Sequence, residues 1–113
     1  MVIQNVNLPR PEYPRPDFER NQWFNLNGTW DFQFDDKDQG EKEGWYRQNA
    51  TFEKQIVVPF CYQSQMSGIH DDLLHEIMWY RRVFNVPEDF RGKRVLLHFG
   101  AVDYAAKVWV NGQ

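Results

Sequence analysis

Along residues 30–35 the chain alternates large aromatic with polar side chains, Trp30, Phe32 and Phe34 against Asp31, Gln33 and Asp35. A period of two is the mark of a half-buried strand, so a strand is predicted here with its aromatic face inward. Residues 35–44, DDKDQGEKEG, are charged and contain glycine, and read as a solvated loop. In residues 51–60, TFEKQIVVPF, β-branched side chains gather ahead of Pro59, which predicts a second strand ending where the proline removes a ladder donor. Residues 61–77 are polar and irregular, with room for at most a short helical turn. A loop of that length inside a small domain usually has a function. Residues 79–87, WYRRVFNVP, predict a third strand with Tyr80, Phe84 and Val86 on one face and Arg81 on the other, stopped by Pro87. After turn chemistry in EDFRGK come two more predicted strands, residues 94–102 (RVLLHFGAV) and 104–111 (YAAKVWVN). The last places Tyr104, Ala106, Val108 and Val110 on one side and Lys107 and Trp109 on the other.

This last strand runs into Asn111-Gly112, the pair that favours a type I′ hairpin turn because both central residues need φ > 0. One arm of such a hairpin is present. Losing three or four core contacts costs about 5 to 10 kcal/mol at about 1.5 to 3 kcal/mol for each buried side chain. That approaches the whole stability of a domain this size, about 6 to 17 kcal/mol. The expectation is therefore a chain cut at a hairpin inside a larger domain. Four of the six prolines fall within LPRPEYPRP near the start, so residues 1–22 are expected to form an extended lead-in and residues 23–113 a partial β-sandwich. Five predicted strands, no convincing amphipathic helix and no internal repeat make the fold class all-β, most naturally a sandwich.

Composition narrows the function classes. The chain has 113 residues, 42% of them hydrophobic, enough for a core. Aromatic residues reach 17%, and they either pack that core or stack on a ligand such as a sugar ring. Thirteen basic and sixteen acidic residues give a net charge of −3 with no basic block, which argues against nucleic acid. No apolar run reaches membrane-spanning length and no secretory core precedes the first polar residues, so a cytoplasmic protein is expected, or one whose signal peptide has been removed. The single cysteine, Cys61, suits a reducing compartment and reads as a packed thiol.

Candidate chemistry is sparse. His70, Asp71, Asp72, His75 and Glu76 are all metal-ligating types, but histidines five apart do not share a helical face, and the stretch reads as a charged surface loop. No metal site and no cofactor are expected. The glutamates, including Glu12, Glu19, Glu41, Glu43 and Glu53, lie in the lead-in, in loops or on a solvent face, and form no catalytic pair. Ser64 and Ser67 have no nucleophile elbow around them. Asn27-Gly28-Thr29 and Asn49-Ala50-Thr51 match the glycosylation acceptor pattern, which carries meaning only in a secreted chain. If Val108 and Val110 face the core, Trp109 points outward and needs cover, from another strand, a neighbouring domain or a sugar.

Three groups of residues together carry a family resemblance. Leu26-Asn27-Gly28-x-Trp30, Trp79-Tyr80-Arg81-Arg82, and Phe99-Gly100-Ala101-Val102 followed by Val108-Trp109-Val110-Asn111-Gly112 occur in order. From about Arg10 to its last residue the chain resembles the N-terminal sugar-binding domain of glycoside hydrolase family 2, the family of β-galactosidases and β-glucuronidases. The resemblance implies a jelly-roll sandwich ahead of an immunoglobulin-like domain and a barrel that carries two catalytic glutamates of a retaining mechanism. Neither glutamate would lie in this chain, so no catalytic residue is expected here. In some β-galactosidases of the family, the loop after the valine-proline strand end supplies an asparagine that touches the sugar. Cys61 stands in its place here, which puts that contact in question and leaves Tyr62 and Gln63 as the candidate carbohydrate-binding residues.

The reading that follows is a fragment of the N-terminal sandwich of a β-galactosidase-like family 2 glycosidase, structural and without catalysis of its own. Its partners would be the carbohydrate substrate through the parent enzyme, the parent's remaining domains, and other copies through unpaired strand edges. The alternative is a free-standing carbohydrate-binding module, which binds simple sugars unaided.

Overall fold

The computed structural model of the chain describes residues 23–100, 102 and 104–113; the lead-in expected over residues 1–22 lies outside the described residues. A three-stranded antiparallel sheet forms the centre, in the order β2-β1-β3, from β1 (Gly28–Phe34), β2 (Lys54–Val58) and β3 (Met78–Arg81). β1 is the predicted aromatic strand and occupies the middle position because both edges find partners. Trp30 lies opposite Ile56 on β2, and Phe32 lies opposite Lys54 on one side and Tyr80 of β3 on the other.

The inward face meets the alternation expected of it. Phe32 and Ile56 are fully buried and Tyr62 nearly so, with Trp30, Phe34, Val58, Ile69 and Met78 packed around them. Phe32 meets Phe34 edge to face at 4.9 Å and Tyr80 at 5.1 Å, arrangements that ring quadrupoles favour.

Beyond the Phe34 end of β1 the other face is covered as well, contrary to the solvent-facing position predicted for Asp35. Asp35 is buried, and its carboxylate accepts three hydrogen bonds: Gln39 N–H at 2.8 Å, Gly40 N–H at 2.9 Å and Trp79 Nε1–H at 3.0 Å. Two of those donors are backbone groups at the start of a one-turn helix, α1 (Gly40–Glu43), which no side chain of its own N-cap residue satisfies. The stretch expected to be solvated thus contains a short helix, because a carboxylate several residues upstream caps it. Gly40 is required by contact: a Cβ there would lie 2.5 Å from the Trp79 indole. Gly44 closes the helix in the left-handed conformation, φ 77°, its N–H donating to the Glu41 carbonyl.

The predicted strand over residues 79–87 ends at Arg81, and no strand forms among the described residues of 94–102 and 104–111. Their composition has not changed; their surroundings have. Val95, Leu96, Leu97 and Phe99 are half-exposed, and consecutive apolar residues settle into a strand only where both faces are covered and a neighbour accepts the ladder. The turn predicted beyond them does form. Asn111 and Gly112 have φ of 53° and 82°, and Val110 and Gln113 exchange backbone hydrogen bonds of 3.0 and 3.1 Å, as a type I′ turn requires.

Trp109 is oriented opposite to expectation. It faces the body of the protein, stacked between Tyr46 at 5.4 Å and Trp79 at 5.0 Å, while Val108 and Val110 are exposed. Trp45 closes the group edge-on to Trp79 at 5.9 Å. Lys107 reaches Glu41 of α1 at 2.9 Å, an exposed pair that contributes little by itself.

Candidate functional site

The motif residues come together on the sheet. Arg82 turns away from β3, and its Nη1 donates to the Leu26 carbonyl at 3.0 Å and the Asn27 carbonyl at 3.3 Å. The Trp30 indole N–H donates to the same Leu26 carbonyl at 2.7 Å, and the Arg82 guanidinium sits 5.9 Å from the Trp30 ring, within cation–π range. Burial pushes the Arg82 guanidinium pKa down. Arg82 therefore ties the Leu-Asn-Gly-x-Trp stretch to the Trp-Tyr-Arg-Arg stretch. Trp79, from the second, stacks on Trp109, from the third. All three quoted stretches hold one another in place.

The loop that carries the candidate sugar residues leaves β2 at Val58, through a cis peptide bond to Pro59. Three anchors shape it. Ser67 is fully buried; its hydroxyl donates to the Ser64 carbonyl at 2.7 Å and accepts from Ile69 N–H at 3.0 Å. Ser64 accepts from Met66 N–H and starts a 3-10 turn at Gln65–Ser67, the short helical turn expected there, which Gly68 closes with φ 84°. Tyr62 is the third anchor: its ring packs on Phe34 at 5.3 Å, its carbonyl accepts from Asp71 N–H at 3.1 Å, and its hydroxyl accepts from His75 N–H at 3.1 Å.

Tyr62 thus points into the core, whereas its neighbours Cys61 and Gln63 are both exposed. The structure places the two candidate residues side by side with opposite orientations. Gln63 presents its amide to solvent, and the Tyr62 side chain fixes the backbone from which Gln63 projects. Cys61, expected to be packed, is exposed because the buried position beside it belongs to the tyrosine.

Two residues of the charged stretch named in the sequence, Asp71 and His75, join a further group whose third member, Asp36, spacing did not indicate. His75 stacks flat on Phe34, 3.6 Å between ring centres and 15° between planes. Its Nδ1 lies 2.7 Å from Asp36 Oδ1, and its Nε2 lies 3.1 Å from Asp71 Oδ2. Hydrogen bonding to Asp36 and then to Asp71 raises the His75 pKa against the opposing effect of desolvation. The Asp71 carboxyl is held low chiefly by the Leu73 N–H, with His75 adding to it. Asp36 follows β1 and is 39 residues from His75, so no local motif links them. His70, Asp72 and Glu76 do not join the group, and no metal-ligating cluster of three forms among the described residues.

On the other side of β1, an open cleft of about 380 Å³ lies between the strand end and residues 51–53. Trp45 and Phe52 give it aromatic surface, and Gln33, Asp36, Lys37 and Gln39 supply polar groups. Desolvation would raise the pKa of the neighbouring Asp35, but the Gln39, Trp79 and Gly40 hydrogen bonds outweigh it and hold the carboxyl below its ordinary value.

The family model described as glycosyl hydrolases family 2, sugar binding domain, matches residues 24–113. Among curated proteins, a β-glucuronidase of Paenibacillus borealis is 33% identical over 89 residues, covering 77% of this chain and 15% of that protein. A β-glucuronidase of Felis catus is 33% identical over 112 residues, covering 88% of this chain and 17% of that protein. A β-galactosidase of Thermoanaerobacter pseudethanolicus is 49% identical over 37 residues, 33% of this chain and 5% of that protein. The chain thus spans 15 to 17% of the length of the two β-glucuronidases.

Proposed function

Since the chain belongs to the sugar-binding domain family of the family 2 glycosyl hydrolases, a family of jelly-roll β-sandwiches, we propose that it serves as the non-catalytic N-terminal sandwich of a larger glycosidase. That enzyme cleaves terminal β-glycosidic bonds. β-Glucuronides are the first substrate class to try, because the two relatives matched over most of the chain are β-glucuronidases; β-galactosides are the second.

The observation that carries this reading is what the family stretches do here. Arg82 and Trp30 are engaged with each other and with the Leu26 carbonyl, and Trp79 is engaged with Trp109 and the Asp35 carboxylate, so these side chains brace the sheet and its neighbouring segments instead of facing a substrate. The 59–63 turn displays Gln63, which we place at the rim of the active site, with Tyr62 holding it there. The half-exposed apolar side chains of residues 95–99, with Val108 and Val110, suit contact with further domains of the enzyme, or with a second copy where those domains are absent.

The cleft beside Trp45 and Phe52 favours the second reading, a module that binds sugar unaided, because aromatic surface flanked by amides and charges suits a hydroxyl-rich ring. Calorimetry of the chain with galactose, glucuronate and short oligosaccharides separates the two. No heat of binding at millimolar sugar is expected. Saturable binding that Trp45→Ala abolishes would establish the module and displace the first reading.

A further inference from the structure

The Asp36–His75–Asp71 group joins two parts of the chain that the sheet alone does not fix. Asp36 lies on the turn after β1, Asp71 and His75 on the loop spanning residues 61–77. Both ring nitrogens face carboxylate oxygens. A neutral imidazole has one N–H and satisfies one of them; only the doubly protonated ring donates to both. The Phe34 face beneath the ring also favours the cation.

Resting on the reading above, in which the 59–63 turn rims an active site, we propose that His75 is a positioning residue. Its protonated ring clamps the 61–77 loop to the end of β1 and thereby fixes Tyr62 and the exposed Gln63 beside it. The link to Tyr62 is direct. The backbone N–H of His75 donates to the Tyr62 hydroxyl, and the backbone N–H of Asp71 donates to the Tyr62 carbonyl, so the two loop members of the clamp both hold that one residue. The titratable and charged groups around the ring are Asp36 from the turn after β1, Asp71 from its own loop, Lys54 from β2 acting on Asp71, and the Tyr62 phenol.

The direction follows from linkage. A histidine whose folded pKa lies above its unfolded one stabilises the fold fully at pH below the unfolded value, about 6.5, and the contribution disappears as pH rises through the folded value. The clamp therefore holds in mildly acid solution and loosens as the medium becomes alkaline. Each pH unit separating the folded from the unfolded titration gives about a tenfold change in the equilibrium constant for clamping across the titration.

NMR titration of the His75 ring in the 113-residue chain, repeated in concentrated urea, tests the clamp without reference to catalysis. The folded ring is expected to titrate at higher pH than the unfolded one, and Asp36→Asn and Asp71→Asn are each expected to move it back. Hydrogen exchange of the His75 and Asp71 amides, corrected for the intrinsic rate at each pH, should accelerate as the ring loses its proton. His75→Gln should remove that pH dependence. Equal folded and unfolded titrations in the unmodified chain overturn the clamp, whether or not any variant folds. In the longer enzyme, His75→Gln is expected to flatten the pH dependence of KM while leaving that of kcat. A clamp confirmed by NMR with KM unaltered would place Gln63 away from the substrate, which is a failure of the functional reading and not of the clamp.

Discussion

Replacing Asp35 with alanine is expected to destabilise the chain by about 3 to 6 kcal/mol, since one buried and two part-buried donors lose their acceptor at about 1 to 3 kcal/mol each, with partial relief from water. The donors belong to two different structures. Gln39 and Gly40 N–H begin α1, and Trp79 Nε1–H belongs to the aromatic stack over the sheet. Losing the carboxylate therefore frees the helix start and the Trp79 ring together, and with that ring the Trp109 segment stacked on it. Against a total stability of about 6 to 17 kcal/mol for a chain of this size, that is a large share, and the urea midpoint falls accordingly. Urea unfolding followed by tryptophan fluorescence checks this, with Asp31→Ala as the control. Asp31 contacts Arg81 at 3.8 Å on a partly exposed pair, and its loss should change stability by about 0.5 kcal/mol or less. The same residue sets an acid limit. Its carboxyl is held below the ordinary value of 3.8, so its stabilisation is present above that value and disappears as pH falls through the folded one. The unfolding midpoint of the unmodified chain should fall below about pH 4, and that of Asp35→Ala should fall less steeply.

Phe32→Ala should cost about 3 to 5 kcal/mol, the range for deleting a buried aromatic ring. Phe32 is fully buried at the centre of the middle strand and touches Phe34 and Tyr80 edge to face, so its loss leaves a cavity that both sheet edges border. Neither edge collapses easily into it. Tyr80 is fixed by its register opposite Phe32, and Ile56 is fully buried opposite Trp30. Near-ultraviolet circular dichroism and the urea midpoint should both fall. Phe32→Leu, which refills most of the volume, should recover more than half of the loss. A Phe32→Ala chain with an unaltered midpoint would contradict the position of the core.

Of the two residues, Phe32 was legible in the sequence and Asp35 was not. The alternation of Trp30, Phe32 and Phe34 gives the central strand and its inward face, and Pro59 gives the end of β2. Asn111-Gly112 gives a turn whose dihedrals the structure reproduces. What alternation does not give is which of two faces is inward. It groups Trp109 with Lys107 correctly, yet the face it assigned to solvent is the one that stacks on Trp79. Asp35 was hidden for a related reason: its main side-chain partner, Trp79, is 44 residues away, and a charged residue beside DKDQGEKEG looks solvated until that indole covers it. The His75 clamp depends on Asp36 at a similar distance. Residues 94–99 show the opposite limit, where a strand-like composition finds no ladder among the described residues. The loop anchors Tyr62 and Ser67 were candidates for chemistry by residue type. Both are buried, and their hydrogen bonds hold the loop from which Gln63 projects.

The family stretches are bound to one another through Arg82–Trp30 and Trp79–Trp109, and on the proposed reading the reaction belongs to a larger enzyme that they support. Hydrolysis of chromogenic β-glucuronides and β-galactosides by the product of the full reading frame, beside the 113-residue chain alone, tests this most directly. The full product is expected to cleave at least one of them, and the chain alone neither. Turnover by the chain alone, or a folded full product inert toward both, would contradict the account.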